Sequence, residues 1–402
     1  MPRSLYICYF GLDQPLVRTQ VIPYLVELSK GGYEIELLTF EPEAKIRWTP
    51  DKIAEERTSL AEQGIEWHFL PYHKRLSALA TSWDIFHGAR WIHSRIARYD
   101  ILHGRAHVAA LMGALARQLA SHKPKLLFDI RGFMPEEYTD AGVWPEGGAI
   151  YRASKRAERW LLEVSDGFVV LTEKARDILF SSEARPVEVI PCCVDLKSRF
   201  PSDTASVRAE MRQRLGIEHR RVFAHIGALG GLYLTEELAD FLALARQVDP
   251  RTYAIFLTQT ENTAITAGLK KRGFFEGDFH IGRVAPDDIP AYLAASDAGL
   301  SFVQATYSTA SRSPTKIPEY LAAGLPVIAN RGVGDVDALI RGEGVGVLIG
   351  RFDRAEYLRA LEKFDQLGDI SDRCRDAAQR LFDLETVGGV RYRGLYEKLL
   401  QS

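Results

Sequence analysis

Thirteen short apolar runs punctuate the chain, most of them followed by a longer segment with helical spacing, and this is the pattern of a parallel sheet flanked by helices. In the first half the runs are Leu5 to Phe10, Glu34 to Thr39, Glu66 to Phe69, Ile101 to His103, Lys125 to Ile130, Gly167 to Leu171 and Val187 to Ile190. The second half repeats the grammar with Val222 to Ile226, Tyr253 to Leu257, Phe279 to Gly282, Ala298 to Phe302, Val327 to Ala329 and Gly346 to Leu348. Each half forms a complete doubly wound set, and the join near Phe200-Pro201-Ser202-Asp203 is polar and carries a proline. The expectation is an α/β protein of two doubly wound, Rossmann-like domains, residues 1–200 and 201–381, facing a cleft. Ligands in such sheets sit beyond the carboxyl ends of the strands, so two facing domains would bracket one.

Composition removes several alternatives. At 402 residues and 46% apolar, the chain is long enough for two or three domains and too hydrophobic to be disordered. A formal net charge of −2, spread evenly between the halves, argues against a polybasic nucleic-acid binder. Cys8, Cys192, Cys193 and Cys374 lack the spacing of a disulfide framework, and the composition suits a reducing cytosol. The opening run is too short for a signal peptide and reads as a buried first strand. The most apolar stretch, Val108 to Ala120, is broken by Arg117 and Gln118, so no membrane span is expected.

The most informative segment is SRSPTKIPEYLAAGLPVIAN, Ser311 to Asn330. Ser313-Pro314-Thr315-Lys316 has the hydroxyls and proline of a helix start, followed by an apolar face at Tyr320-Leu321. Pro318 would interrupt a helix capped at Ser313, so a cap nearer Thr315 is less strained. Free amides at such a start, with the Lys316 ammonium beside them, make a diphosphate site. Glu319, one turn later, is placed to accept two hydrogen bonds from a ribose diol. The same residues also read simply as a capped surface helix with a Lys316 to Glu319 pair. A glycine cluster, His225-Ile226-Gly227-Ala228-Leu229-Gly230-Gly231-Leu232, leaves the first strand of the second half, where missing Cβ atoms let backbone approach a phosphate. Phe10-Gly11-Leu12 is the corresponding turn in the first half.

Val189-Ile190-Pro191-Cys192-Cys193-Val194-Asp195, the glycine turn, and Ser313 through Ile328 fall in an order that resembles the GT-B glycosyltransferases of the group 1 (family GT4) type. The block Phe128-Asp129-Ile130-Arg131-Gly132-Phe133 with Glu136 and Glu137 resembles one seen in a bacterial branch of that family. The resemblance implies sugar transfer from a UDP- or GDP-sugar to a glycan, lipid-linked or small-molecule acceptor, with retention and without a metal. It implies phosphates on Gly230, Gly231 and the 313–316 segment, the ribose on Glu319, the base near Arg283-Val284, and Gly11 facing the donor. His103, read as lying at a strand end, matches the histidine that faces the donor sugar. If the reaction inverts, Asp129, Glu136, Glu137 or His103 would be the base, with Arg131 among the cations that replace a missing phosphate-gripping pair. Residues 382–402 are expected to cross back onto the first domain, with Tyr392 and Tyr396 packed.

Two features depart from the family pattern. Ser311 stands where the first glutamate of an E-x7-E pair would be, and the 227–236 turn has no Arg or Lys. Asp335-Val336-Asp337 formally reads as a metal-binding D-x-D, but lies on a glycine loop and is of a kind expected by chance in a chain with 53 acidic residues. Arg152, Lys155, Arg156 and Arg159, beside Trp160-Leu161-Leu162, read either as a solvated helix face or as a membrane-surface contact for a lipid-linked acceptor. The second would place a cytoplasmic protein at the inner face of a membrane. A sugar-nucleotide epimerase of the same fold and a non-catalytic partner subunit are the alternative functions. A nicotinamide oxidoreductase is disfavoured because the turn after the first strand lacks G-x-G-x-x-G.

Overall fold

The computed structural model describes residues 1–73, 78–201, 203–259 and 262–402, and Ser202 of the expected join lies outside them. The chain divides into two compact units, Met1–Pro191 with Leu384–Ser402, and Cys192–Asp383. The division thus falls at 191 rather than 200, because residues 192–200 are bonded into the second unit. The Cys192 amide donates to Ser313 Oγ at 3.2 Å, the Val194 amide to the Phe382 carbonyl at 2.8 Å, and Arg199 to Glu319 at 2.7 Å.

In the first unit, β1 (Arg3–Cys8), β2 (Glu34–Pro42), β3 (Ile65–Tyr72), β4 (Ile101–Arg105), β5 (Lys125–Asp129), β6 (Gly167–Val170) and β7 (Val187–Val189) form one sheet in the order β3-β2-β1-β4-β5-β6-β7. All its pairings are parallel. Strands such as Leu5-Tyr6-Ile7-Cys8 are buried throughout, as a sheet covered on both faces requires. The boundaries differ where polar residues continue a ladder. β4 runs on past His103, because Gly104 and Arg105 still pair with Ile7 and Cys8 on one side and with Phe128 and Asp129 on the other. The Val390–Gln401 helix completes this unit. Its Tyr396 hydroxyl lies 3.0 Å from Ser4 Oγ and 2.9 Å from His103 Nδ1, and its Tyr392 hydroxyl donates to Asp129 at 3.1 Å.

The second unit holds β8 (Arg221–Ile226), β9 (Thr252–Leu257), β10 (Phe279–Gly282), β11 (Ala298–Ser301), β12 (Val327–Asn330) and β13 (Gly346–Ile349), ordered β10-β9-β8-β11-β12-β13. This is the doubly wound order, whose direction reverses between β8 and β11. Along β8 the side chains alternate, Val222, Ala224 and Ile226 entering one apolar layer and Phe223 the other. β8 and β11 pair only through Ala298 with Phe223 and Gly299 with Ala224, and beyond that point the Tyr320 hydroxyl sits between them. It accepts from the Ile226 amide at 3.1 Å and donates to the Leu300 carbonyl at 3.1 Å.

The Tyr320 ring occupies space that a side chain at Gly299 would need, since a Cβ there would meet ring carbons at 2.3 Å. Gly299→Ala is therefore expected to lower the stability of the second unit by about 1–3 kcal/mol, the usual cost of overpacking. Urea unfolding checks this, and an unchanged midpoint would contradict the packing. Tyr396→Phe should cost about 1–2 kcal/mol in the first unit by leaving His103 Nδ1 and Ser4 Oγ short of a partner. The same measurement reads it.

Candidate functional site

The carboxyl end of β8 opens into a turn in which Gly227, Gly230 and Gly231 all have positive φ, at 100°, 76° and 60°. A Cβ at Gly230 or Gly231 would meet nothing within 4 Å, so backbone there faces open space. Gly227 lies against the next element, with Lys316 Cε and Nζ about 4 Å from where its Cβ would be.

That element is the Lys316–Ala322 helix, preceded by Thr315 as expected. Thr315 makes no side-chain capping bond, and Ser313 Oγ instead accepts the Cys192 amide. Pro318 is accommodated because it falls in the first turn, where an amide has no helical acceptor. The helix is only seven residues long, so its dipole is small and the positive charge at this edge belongs chiefly to Lys316 and Arg312.

Lys316 is 3% exposed, and among the described residues no carboxylate lies within ion-pair distance of it. Its Nζ is 3.4 Å from His225 Nε2 and 4.2 Å from the centre of the Tyr233 ring. Burial, reinforced by the Arg312 charge and opposed by Glu319, pulls its pKa down to about 7. His225 is held neutral, its pKa pushed to about 3 by burial and then by Lys316. Nδ1 lies 3.2 Å from the Leu300 carbonyl and Nε2 3.2 Å from the Ala228 carbonyl, so the neutral ring's one proton serves one of them, and Nε2 accepts from the ammonium in the tautomer with the proton on Nδ1. Glu319 Oε1 accepts from Arg199, whose other terminal nitrogen donates to the Pro286 carbonyl. Burial raises the Glu319 pKa, against the pull of Arg199 and Lys316. Arg283-Val284 follows β10 at the same sheet edge, and the Val284 carbonyl accepts from Gln259 at 3.2 Å.

Ser311 and Asp337 both serve local structure in this unit. Ser311 is buried and donates its hydroxyl to the Ser308 carbonyl at 2.7 Å, closing a short turn. Asp337 accepts the Gly332 amide at 2.8 Å and so shapes its glycine loop.

In the first unit, His103 is corrected. It lies in the middle of β4, wholly buried between Tyr6 and Tyr396, and does not reach the strand end. Asp129 is likewise wholly buried. Burial alone would raise its pKa, but Arg131, His103 and Arg105 outweigh that and hold it below the usual carboxylate range. Arg131 is 3.5 Å from Asp129 Oδ1 and Arg105 3.8 Å from Oδ2. Glu136 is bound by Lys155 at 2.9 Å and by the Tyr151 hydroxyl at 3.1 Å. Glu137 lies over Gly132, where a Cβ would meet its Oε1 at 2.5 Å. Gly11 is tight for a different reason than expected, since a Cβ there would meet Glu41 Oε2 at 2.8 Å. Glu41 is buried and accepts the Leu12 amide, the Thr39 hydroxyl and Trp48 Nε1, fixing the turn after β1.

Sequence reasoning missed Arg105, Arg199, Tyr233 and the role of His225. Arg105 ends β4 before Ala106, a non-glycine residue held at φ 61°. A cavity of about 600 Å³ lies elsewhere, at the amino ends of β1 to β3, lined by Arg3, Glu36, Glu66 and His68. Those last three are the one set of metal-capable spacing among the described residues, and its two carboxylates already face Arg98, 2.8 Å from Glu36 and 3.9 Å from Glu66.

Residues 17–193 match the model of the glycosyl transferase 4-like domain. No curated protein matches the chain. Among solved structures, sucrose-phosphate synthase from Thermosynechococcus elongatus superposes with a TM-score of 0.77 at 16% identity, covering 100% of each chain. Anabaena HepE, in complex with UDP and glucose, gives 0.70 at 17%, covering 98% of this chain and 100% of its own. WaaG, a glycosyltransferase involved in lipopolysaccharide biosynthesis, gives 0.66 at 14%, covering 96% and 98%. At these identities the superpositions speak to the fold. Through both units the chain thus has the GT-B fold of two Rossmann-like domains, with residues 17–193 matching the glycosyl transferase 4-like domain model.

Proposed function

We propose that this chain is a glycosyltransferase that moves a sugar from a nucleoside diphosphate to an acceptor hydroxyl. The observation that carries the reading is Lys316, a buried lysine beside a glycine turn at the point where the sheet order reverses, with a neutral histidine and an aromatic face for company. Such a group is stabilised by an anion, and a diphosphate supplies one.

In this reading the phosphates lie on the Gly230-Gly231 backbone and on the Ser313-Pro314-Thr315-Lys316 segment. Glu319, oriented by Arg199, takes the ribose, and the base rests on Arg283-Val284. A uridine donor is favoured over guanosine, since HepE was solved with UDP-glucose. During transfer the bond from the anomeric carbon to the diphosphate breaks and its electron pair stays with the phosphate, where Lys316 and Arg312 meet the developing charge. The acceptor oxygen bonds to the anomeric carbon, and its proton passes to a phosphate oxygen. Retention is supported by the state of the alternatives: His103 and Asp129 are sealed in the core and Glu136 is held by Lys155. Glu137 is the remaining candidate base for an inverting reaction. The acceptor is a glycan, lipid-linked or small sugar in a biosynthetic pathway.

Thermal shift against UDP-, GDP-, CMP- and TDP-sugars tests the donor assignment, and stabilisation by none of them would sink it. Lys316→Ala should weaken UDP binding about 10- to 100-fold, from loss of a charge-assisted hydrogen bond of about 1.5–3 kcal/mol. Calorimetric titration reads the difference, and equal affinities would remove Lys316 from the site. Glu319→Gln should weaken UDP more than inorganic diphosphate, because only the former carries a ribose.

A further inference from the structure

One face of the first unit is built against the ordinary rule for exposed surface. The Ala78–His93 helix turns Leu79, Trp83 and Phe86 outward, 83%, 54% and 59% exposed, at the i, i+4, i+7 spacing of a single stripe. Its only acid, Asp84, is buried and bound by the Tyr9 hydroxyl and His73, so no negative charge faces out with the stripe. The Ala106–Gln118 helix packs beside it and, on its other side, against the Ala149–Val164 helix. That third helix presents Arg152, Arg156 and Arg159, again at i, i+4, i+7.

The exposed charges on these three helices are Arg90, Arg152, Arg156 and Arg159 against Glu163 alone. Arg90, Arg156 and Arg159 have no ion pair with a described residue, in a chain whose net charge is −2. A continuous layer thus carries a stripe of large apolar side chains on one side and a stripe of unpaired cations on the other. Solvation alone explains the arginines and leaves the Leu, Trp and Phe unexplained.

We propose that this three-helix face docks on an anionic lipid surface, the Leu79-Trp83-Phe86 stripe entering the headgroup region while the Arg156 and Arg159 guanidiniums lie on the phosphates. The pairing of aromatic and aliphatic side chains with arginines is that of an interfacial helix. A second copy of the chain is a poorer occupant. A two-fold contact that buried the Leu79-Trp83-Phe86 stripe against itself would leave the arginines, on the other side of the layer, without a partner.

Co-sedimentation with vesicles tests the docking, using phosphatidylcholine alone and equal parts phosphatidylcholine and phosphatidylglycerol. The chain should partition onto the mixed vesicles, bind the neutral ones far less, and be released by raised salt. Trp83→Ser with Phe86→Ser, and separately Arg156→Glu with Arg159→Glu, should each lower partitioning about tenfold or more. Circular dichroism and the unfolding temperature should stay unchanged, since these side chains are exposed. No binding to the mixed vesicles would overturn the proposal, as would equal partitioning by wild type and both variants. It also falls if the Trp83 and Phe86 changes abolish self-association in a chain that does not bind vesicles.

Discussion

The geometry of the candidate site depends on one hydroxyl. Parallel strands normally bond to each other along their length, yet β8 and β11 part after two residue pairs, which leaves the Ile226 amide and the Leu300 carbonyl without each other. Left unpaired and buried, the Ile226 amide would cost about 1–3 kcal/mol, whereas the Leu300 carbonyl also meets His225 Nδ1 at 3.2 Å. The Tyr320 hydroxyl answers both at 3.1 Å, standing in for the missing ladder bond while letting the strands diverge. Since Tyr320 belongs to the same short helix as Lys316 and Glu319, the bond that opens the sheet also sets those two side chains at its edge.

Lys316 is the consequence. In the open edge it has the face of Tyr233, worth about 0.5–2 kcal/mol as a cation–π contact, and an acceptor nitrogen on His225. Neither offsets the removal of an ammonium from water, which is why burial dominates its pKa and draws it down to about 7. Arg199 plays the complementary part for Glu319, orienting the carboxylate and opposing the burial that raises its pKa. The site thus holds a buried ammonium with no carboxylate at ion-pair distance among the described residues, which is the gap the proposed diphosphate would fill.

Much of the fold was legible in the sequence, because each strand of a doubly covered parallel sheet must be a short apolar run. All thirteen strands fall where those runs lie. The ends were less legible, and β4 shows why. Gly104 and Arg105 carry no apolar signal, yet their backbone pairs with strands on both sides. Lys316, Glu319 and the glycine turn could be read locally because helix starts and tight turns are local chemistry. His103 could not, since its burial is decided by Tyr396, 293 residues away in sequence. Arg199 and Ser313 are of the same kind, their meaning set by Glu319 and by the Cys192 amide.

The central claim is that a partly neutral Lys316 receives the diphosphate, and proton linkage measures it directly. With a pKa of about 7 in the free protein, Lys316 is about nine-tenths neutral at pH 8, and a bound diphosphate raises that pKa. Below pH 7 the group is already protonated and uptake vanishes, so the effect must grow as pH rises above 7. Calorimetry of UDP binding at pH 8, in buffers of different ionisation enthalpy, should show uptake approaching one proton per nucleotide, absent in Lys316→Ala. A wild-type enthalpy independent of buffer, or the same uptake in the variant, would contradict the account.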